Sequence, residues 1–132
     1  MSNITVTYLG DLRTEAIHID SNSSIITDAP IDNEGLGSKF SPTDLVASSL
    51  GSCLLTIMGI VAKRHKINLK DSYANVEKKM SENPRRISSI IVDIYLNSSL
   101  DDKQTKILKQ AAKHCPVHNS LNKDIDIQIN FN

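Results

Sequence analysis

Cys53 and Cys115 are the chain's two thiols, and their local sequences suit them to different chemistry. Cys53 lies inside the uncharged run from Leu45 to Ala62, among Ser48, Ser49, Gly51 and Ser52. Side chains that small let backbone or a small substrate come close. Cys115 sits at the break His114-Cys115-Pro116-Val117-His118, where the proline disfavours helical geometry for the residue before it. A cysteine is a nucleophile as the thiolate, so its pKa must be lowered by its surroundings. A helix N-terminus can do this, but Cys53 follows the nearest capping residue, Ser41, by twelve positions, and the dipole's influence fades after one turn. A continuous helix therefore requires an added cation. Arg13 is the candidate, placed after the turn Leu9-Gly10-Asp11-Leu12, with a planar fork of donors able to hold a thiolate and a second acceptor atom. Glu15, two residues on, shares its strand face and could orient the guanidinium.

Plainer readings stand beside these. Free cysteine is among the most buried residue types and can simply fill space, and Arg13 can be a solvent-facing turn residue. Cys115 and His118, with His114 and Cys53, could make a two-Cys, two-His zinc set, but such sites usually carry paired short spacings and Cys53 has no neighbouring ligand. Neither a metal nor a cofactor is expected. The basic run Lys63-Arg64-His65-Lys66 reads as a solvated helix end rather than a phosphate patch.

The elements that must position these residues follow from periodicity. Ile4, Val6 and Tyr8 alternate with polar residues, Arg13 to Ile19 resumes the pattern, and Ile25-Ile26-Thr27 makes a third strand. A glycine-containing loop then leads to a helix, with Ser41 as cap, Pro42 at the first position and Asp44 near the positive dipole end. Two strands, Tyr73 to Lys79 and Ile87 to Leu96, join through Ser81-Glu82-Asn83-Pro84 as a hairpin. A helix from Asp101 to Lys113 and an alternating strand, Ile125 to Phe131, complete the order βββ-α-ββ-α-β. That is an α+β arrangement with a long buried central helix.

With 132 residues the chain is expected to form one domain, residues 1–132. Its aromatic fraction of 4% without Trp makes the core aliphatic. Fifteen basic and fifteen acidic residues give a net charge of zero, so no long-range field steers it toward nucleic acid or an anionic membrane. The run from Leu45 to Ala62 is long enough to span a bilayer, but its serines, Thr56, Gly51 and Gly59 favour a globular core helix. Met1 to Thr7 lacks a basic segment followed by an apolar one, so a cytoplasmic location is expected. Thiol pairs there are more often catalytic, redox-sensing or metal-binding than structural.

The segments Tyr8-Leu9-Gly10-Asp11-Leu12-Arg13-Thr14-Glu15, Thr27-Asp28-Ala29-Pro30, Phe40-Ser41-Pro42-Thr43-Asp44-Leu45, Leu50-Gly51-Ser52-Cys53 and Cys115-Pro116-Val117-His118-Asn119-Ser120-Leu121 resemble the OsmC/Ohr family. The resemblance spans nearly the whole chain in order. It implies an intertwined homodimer around two central helices, and thiol-dependent reduction of organic hydroperoxides or hydrogen peroxide in oxidative-stress defence. Cys53 corresponds to the peroxidatic cysteine, Cys115 to the resolving one and Arg13 to the activating arginine. A lipoyl-type or thioredoxin-type dithiol would be the reductant. In the organic-peroxide branch a Glu follows the proline at the central helix start, where this chain has Thr43. Glu15 is the substitute proposed for it. The alternative is a non-catalytic relative that binds an apolar small molecule at the dimer interface.

Overall fold

The computed structural model describes residues 3–97 and 99–132. Two three-stranded sheets belong to two compact units, residues 1–46 and 47–132. In the first, β1 (Ile4–Gly10), β2 (Arg13–His18) and β3 (Ser23–Asp28) form an antiparallel meander. The turn from β1 to β2 runs through Gly10, Asp11 and Leu12, all at positive φ (90°, 53° and 64°). The Leu12 carbonyl accepts from the Ala29 N–H, which ties the turn to the end of β3.

A 3₁₀ turn (Ile31–Asn33) and then the long helix α1 (Pro42–Arg64) follow. Its start is fixed by a reciprocal pair of bonds: the Asp44 N–H donates to Ser41 Oγ at 3.1 Å, and the Ser41 N–H donates to Asp44 Oδ2 at 2.9 Å. This is the capping-box arrangement with Asp as the acid. Asp44 is thereby committed to the helix terminus. Although α1 is long and apolar enough to cross a membrane by length and composition, its buried residues are Ala47, Leu50, Gly51, Leu54, Met58 and Ala62. That spacing is one stripe of a core helix. Ser48, Ser52, Thr56 and Ile60, on other faces, are exposed. The helix is therefore buried on one side within the chain, not all round as its uniform apolarity suggests.

In the second unit β4 (Tyr73–Ser81) pairs antiparallel with β5 (Arg86–Tyr95), and β6 (Asp126–Phe131) pairs parallel with β5 on its other edge. A parallel neighbour needs a crossover. It is supplied by α2 (Asp102–Ala111), a 3₁₀ turn (Ala112–His114) and a short helix α3 (Pro116–Ser120). Asp101 and Gln104 form the capping box of α2. The helix expected over 101–113 thus tightens into 3₁₀ geometry after Ala111, and α3 is an addition to the expected order. Leu50, Leu54, Met58, Ile90, Val92, Ile94 and Leu108 are fully buried and make the aliphatic core.

Candidate functional site

Cys53 lies on α1 beside the buried stripe, half-buried, with its thiol free. The helix is continuous from Pro42 to Arg64, so no helix start lies near Cys53 to activate it. Its neighbour Gly51 has a packing role: a Cβ added there would stand 2.8 Å from Val76 Cγ2. The small residue is what lets β4 approach the helix at this level.

Cys115 is the N-cap of α3, with extended backbone as the following proline dictates. It is fully buried and free. Its Sγ accepts a bond from the His118 N–H at 3.4 Å. Burial pushes the Cys115 thiol up; the His118 N–H opposes the rise, and the adjacent Cys53 sulfur adds to it. The fold has therefore brought the two thiols into interaction range from distant parts of the sequence. Cys115 stays protonated at neutral pH and can donate its S–H toward Cys53. Among the described residues no three His, Cys, Asp or Glu side chains gather to hold a metal ion.

Arg13 and Glu15 lie in the other compact unit, and the sheet separates their roles. Arg13 is directly opposite Asp28 across β2 and β3. Its Nη2 donates to Ser38 Oγ at 3.1 Å and stands 3.7 Å from Asp28 Oδ2. Asp28 Oδ2 also accepts from the Ser38 hydroxyl at 2.6 Å and from the Ser38 N–H at 3.0 Å. Glu15 instead accepts from Ser24 Oγ at 2.7 Å. The carboxylate that orients Arg13 is thus Asp28, a correction to the pairing with Glu15 expected from a shared strand face. The reason is geometric, since directly opposed residues across an antiparallel pair lie closer than residues two apart along one strand. Thr43, at the start of α1, has its Oγ1 3.2 Å from Ser41 Oγ and joins the cap.

Asp28 and Ser38 were not legible as site residues. Asp28 is fully buried, and the two bonds from Ser38, with a smaller contribution from the Arg13 charge, hold its carboxyl below the usual range against the cost of burial. Because the folded pKa is the lower one, its contribution to stability is complete above an ordinary aspartate pKa of about 3.9 and is lost as pH falls below it. Asp28→Asn should melt a few degrees below the parent at pH 7, and the gap should close as pH falls below about 4. Thermal unfolding of both proteins across pH 3 to 8 checks this.

The comparisons with known proteins agree with this architecture. A protein of Psychrobacter arcticus 273-4, named for osmotic-stress induction and detoxification, is 49% identical in its crystal structure, with a TM-score of 0.94 over 100% of this chain and 96% of that one. An OsmC-like protein of Mycoplasma pneumoniae (23% identity, TM-score 0.82, 100% and 96% covered) has the same fold. So does an organic hydroperoxide resistance protein of Legionella pneumophila (16%, 0.77, 99% and 96%). Residues 35–130 match the family described as OsmC-like protein, most of the chain and both cysteines included, and the chain belongs to that family.

Proposed function

We propose that the chain reduces organic hydroperoxides through its thiol pair, in peroxide or stress defence. Relatives with this fold that are named for organic hydroperoxide resistance support the class of chemistry. The observation that carries the reading is the interaction between a half-buried Cys53 and a fully buried Cys115. In this reading the Cys53 thiolate attacks the peroxide oxygen distal to the organic group. The O–O bond breaks, the alkoxide leaves and is protonated to the alcohol, and Cys53 becomes a sulfenic acid. The Cys115 sulfur then attacks the Cys53 sulfur and displaces water, which leaves a disulfide. An external dithiol supplies two electrons and two protons to restore both thiols.

Arg13 is the cation in this scheme. Its Nη2 is engaged by Ser38 and Asp28, and its side chain is still 38% exposed, so a guanidinium with five N–H groups retains donors for a substrate. Asp28 holds it in place, the part the sequence assigned to Glu15. The working unit is a homodimer. Every buried apolar residue among those described lies between Ala47 and Cys115, whereas Ile4, Val6 and Tyr8, alternate residues of β1, are 65%, 62% and 64% exposed, and Leu12, Ile25 and Phe40 are exposed as well. An apolar surface of that extent calls for a cover, and a second copy of the chain supplies it.

The test is mild oxidation of the reduced protein with one equivalent of cumene hydroperoxide, followed by mass mapping. The expected product has lost two hydrogens and links Cys53 to Cys115. A protein that accumulates sulfinic acid on Cys53 with Cys115 still free would remove Cys115 from the resolving role. One that is not oxidised at all would overturn the reading.

A further inference from the structure

A groove of about 580 Å³ opens in the second unit between α2, the turn that follows it, and β6. Its apolar floor is Ala112, Ile129 and Phe131, and its rim carries Lys106, Lys109, Lys113 and His118. Among the described residues no aspartate or glutamate lines it. The three lysines recur at spacings of three and four residues, which places them on one face of the helical segment. Like charges so placed repel one another, and among the described residues no carboxylate pairs with any of them. Lys109 Nζ stands 5.5 Å from the centroid of the Phe131 ring. Positive charge and apolar surface therefore meet inside one concave space.

We propose that this groove binds a free medium-chain carboxylate, with the head group on Lys109 and Lys113 and the alkyl chain along Ala112, Ile129 and Phe131. The volume falls within the usual range of small-molecule sites, roughly 300–1,000 Å³, and suits a chain of about ten carbons. Charge complementarity selects an anion, because an uncharged alcohol leaves the lysines uncompensated. The floor selects a tail, because a simple inorganic anion leaves Ile129 and Phe131 wet. The site is independent of the peroxide reading above, and its test reads binding rather than turnover.

Isothermal titration of the full chain with sodium decanoate, kept below its micelle concentration, is the experiment. Saturable binding should weaken by about tenfold or more in Lys109→Glu/Lys113→Glu, and severalfold in 0.5 M salt and in Phe131→Ala, while Lys79→Glu on β4 leaves it unchanged. Lys109→Gln/Lys113→Gln, which removes charge without reversing it, should lose most of the affinity, so a defect peculiar to the glutamates is recognised. Decanol should bind far more weakly than decanoate. The proposal is overturned if decanoate binding is absent or survives both double variants, or if decanol binds as tightly. Competition by sulfate at the same concentration would mark a plain anion site, and binding confined to anionic phosphatidylglycerol vesicles a membrane surface; either result also overturns it.

Discussion

Cys53→Ser is expected to abolish turnover of cumene hydroperoxide with a dithiol reductant, by about a thousandfold or more, while leaving the fold intact. Serine is nearly isosteric with cysteine, so a half-buried position beside the helix stripe tolerates it. The chemistry does not, since a serine hydroxyl neither ionises near neutral pH nor accepts an oxygen atom from a peroxide. Cys115→Ser should behave differently. It should consume about one equivalent of peroxide and then stall, with Cys53 trapped as a sulfenic acid that a dimedone-type reagent captures. The asymmetry rests on the site's geometry: Cys115 is the fully buried partner, raised by burial and able to donate to Cys53. Steady-state rates within twofold of the parent in Cys53→Ser would place any peroxide chemistry elsewhere. Equal loss in both single-turnover experiments would mean that Cys115 acts before the sulfenic acid forms.

The readings that held are those that depend on local chemistry. Ser41, Pro42 and Asp44 fix the start of α1 because a cap is a matter of three or four adjacent residues, and the structure contains both of its bonds. Alternation in 87–95 and 126–131 gave strands with the expected inner faces. It did not give their direction, since a period of two reports faces and says nothing of whether β6 runs parallel to β5. The five residues of α3 are too few for a helical period to register, though Pro116 marked the break before them. Arg13 was legible as a cation at a turn, but its partner was not. Asp28 matters through its position opposite Arg13 on the next strand and through Ser38, ten residues further along in a loop. Neither relation exists until the chain is folded. Similarly, the small residues around Cys53 suggested close approach, and only the packed structure identifies the neighbour at Gly51 as Val76.

The loop that carries Ser38 depends on one residue, and Gly35→Ala is expected to cost several kcal/mol. A Cβ built on Gly35 would stand only 1.8 Å from the Ala29 carbonyl oxygen and 2.2 Å from its carbonyl carbon. These are backbone atoms, so no rotamer change relieves the overlap; one of the two segments must move. Both are held. The Gly35 N–H donates to the Pro30 carbonyl at 2.9 Å, the Gly37 N–H donates to the Ala29 carbonyl at 3.1 Å, and the Ala29 N–H donates to Leu12 at 3.1 Å. Overpacking that forces backbone shifts costs about 1–3 kcal/mol in cores, and the loss of hydrogen bonds in the same turn adds to it. Movement of the loop also withdraws Ser38 from Asp28 and Arg13, so the damage should extend past stability. The measurement is a denaturant midpoint together with the acid dependence of unfolding. Gly35→Ala should shift the midpoint strongly and lose the part of the acid dependence that Asp28→Asn also lacks, because without Ser38 the Asp28 carboxyl returns toward its ordinary pKa. A large midpoint shift with the Asp28 acid dependence intact would show that the loop yields at Ala29 instead and leaves Ser38 in place.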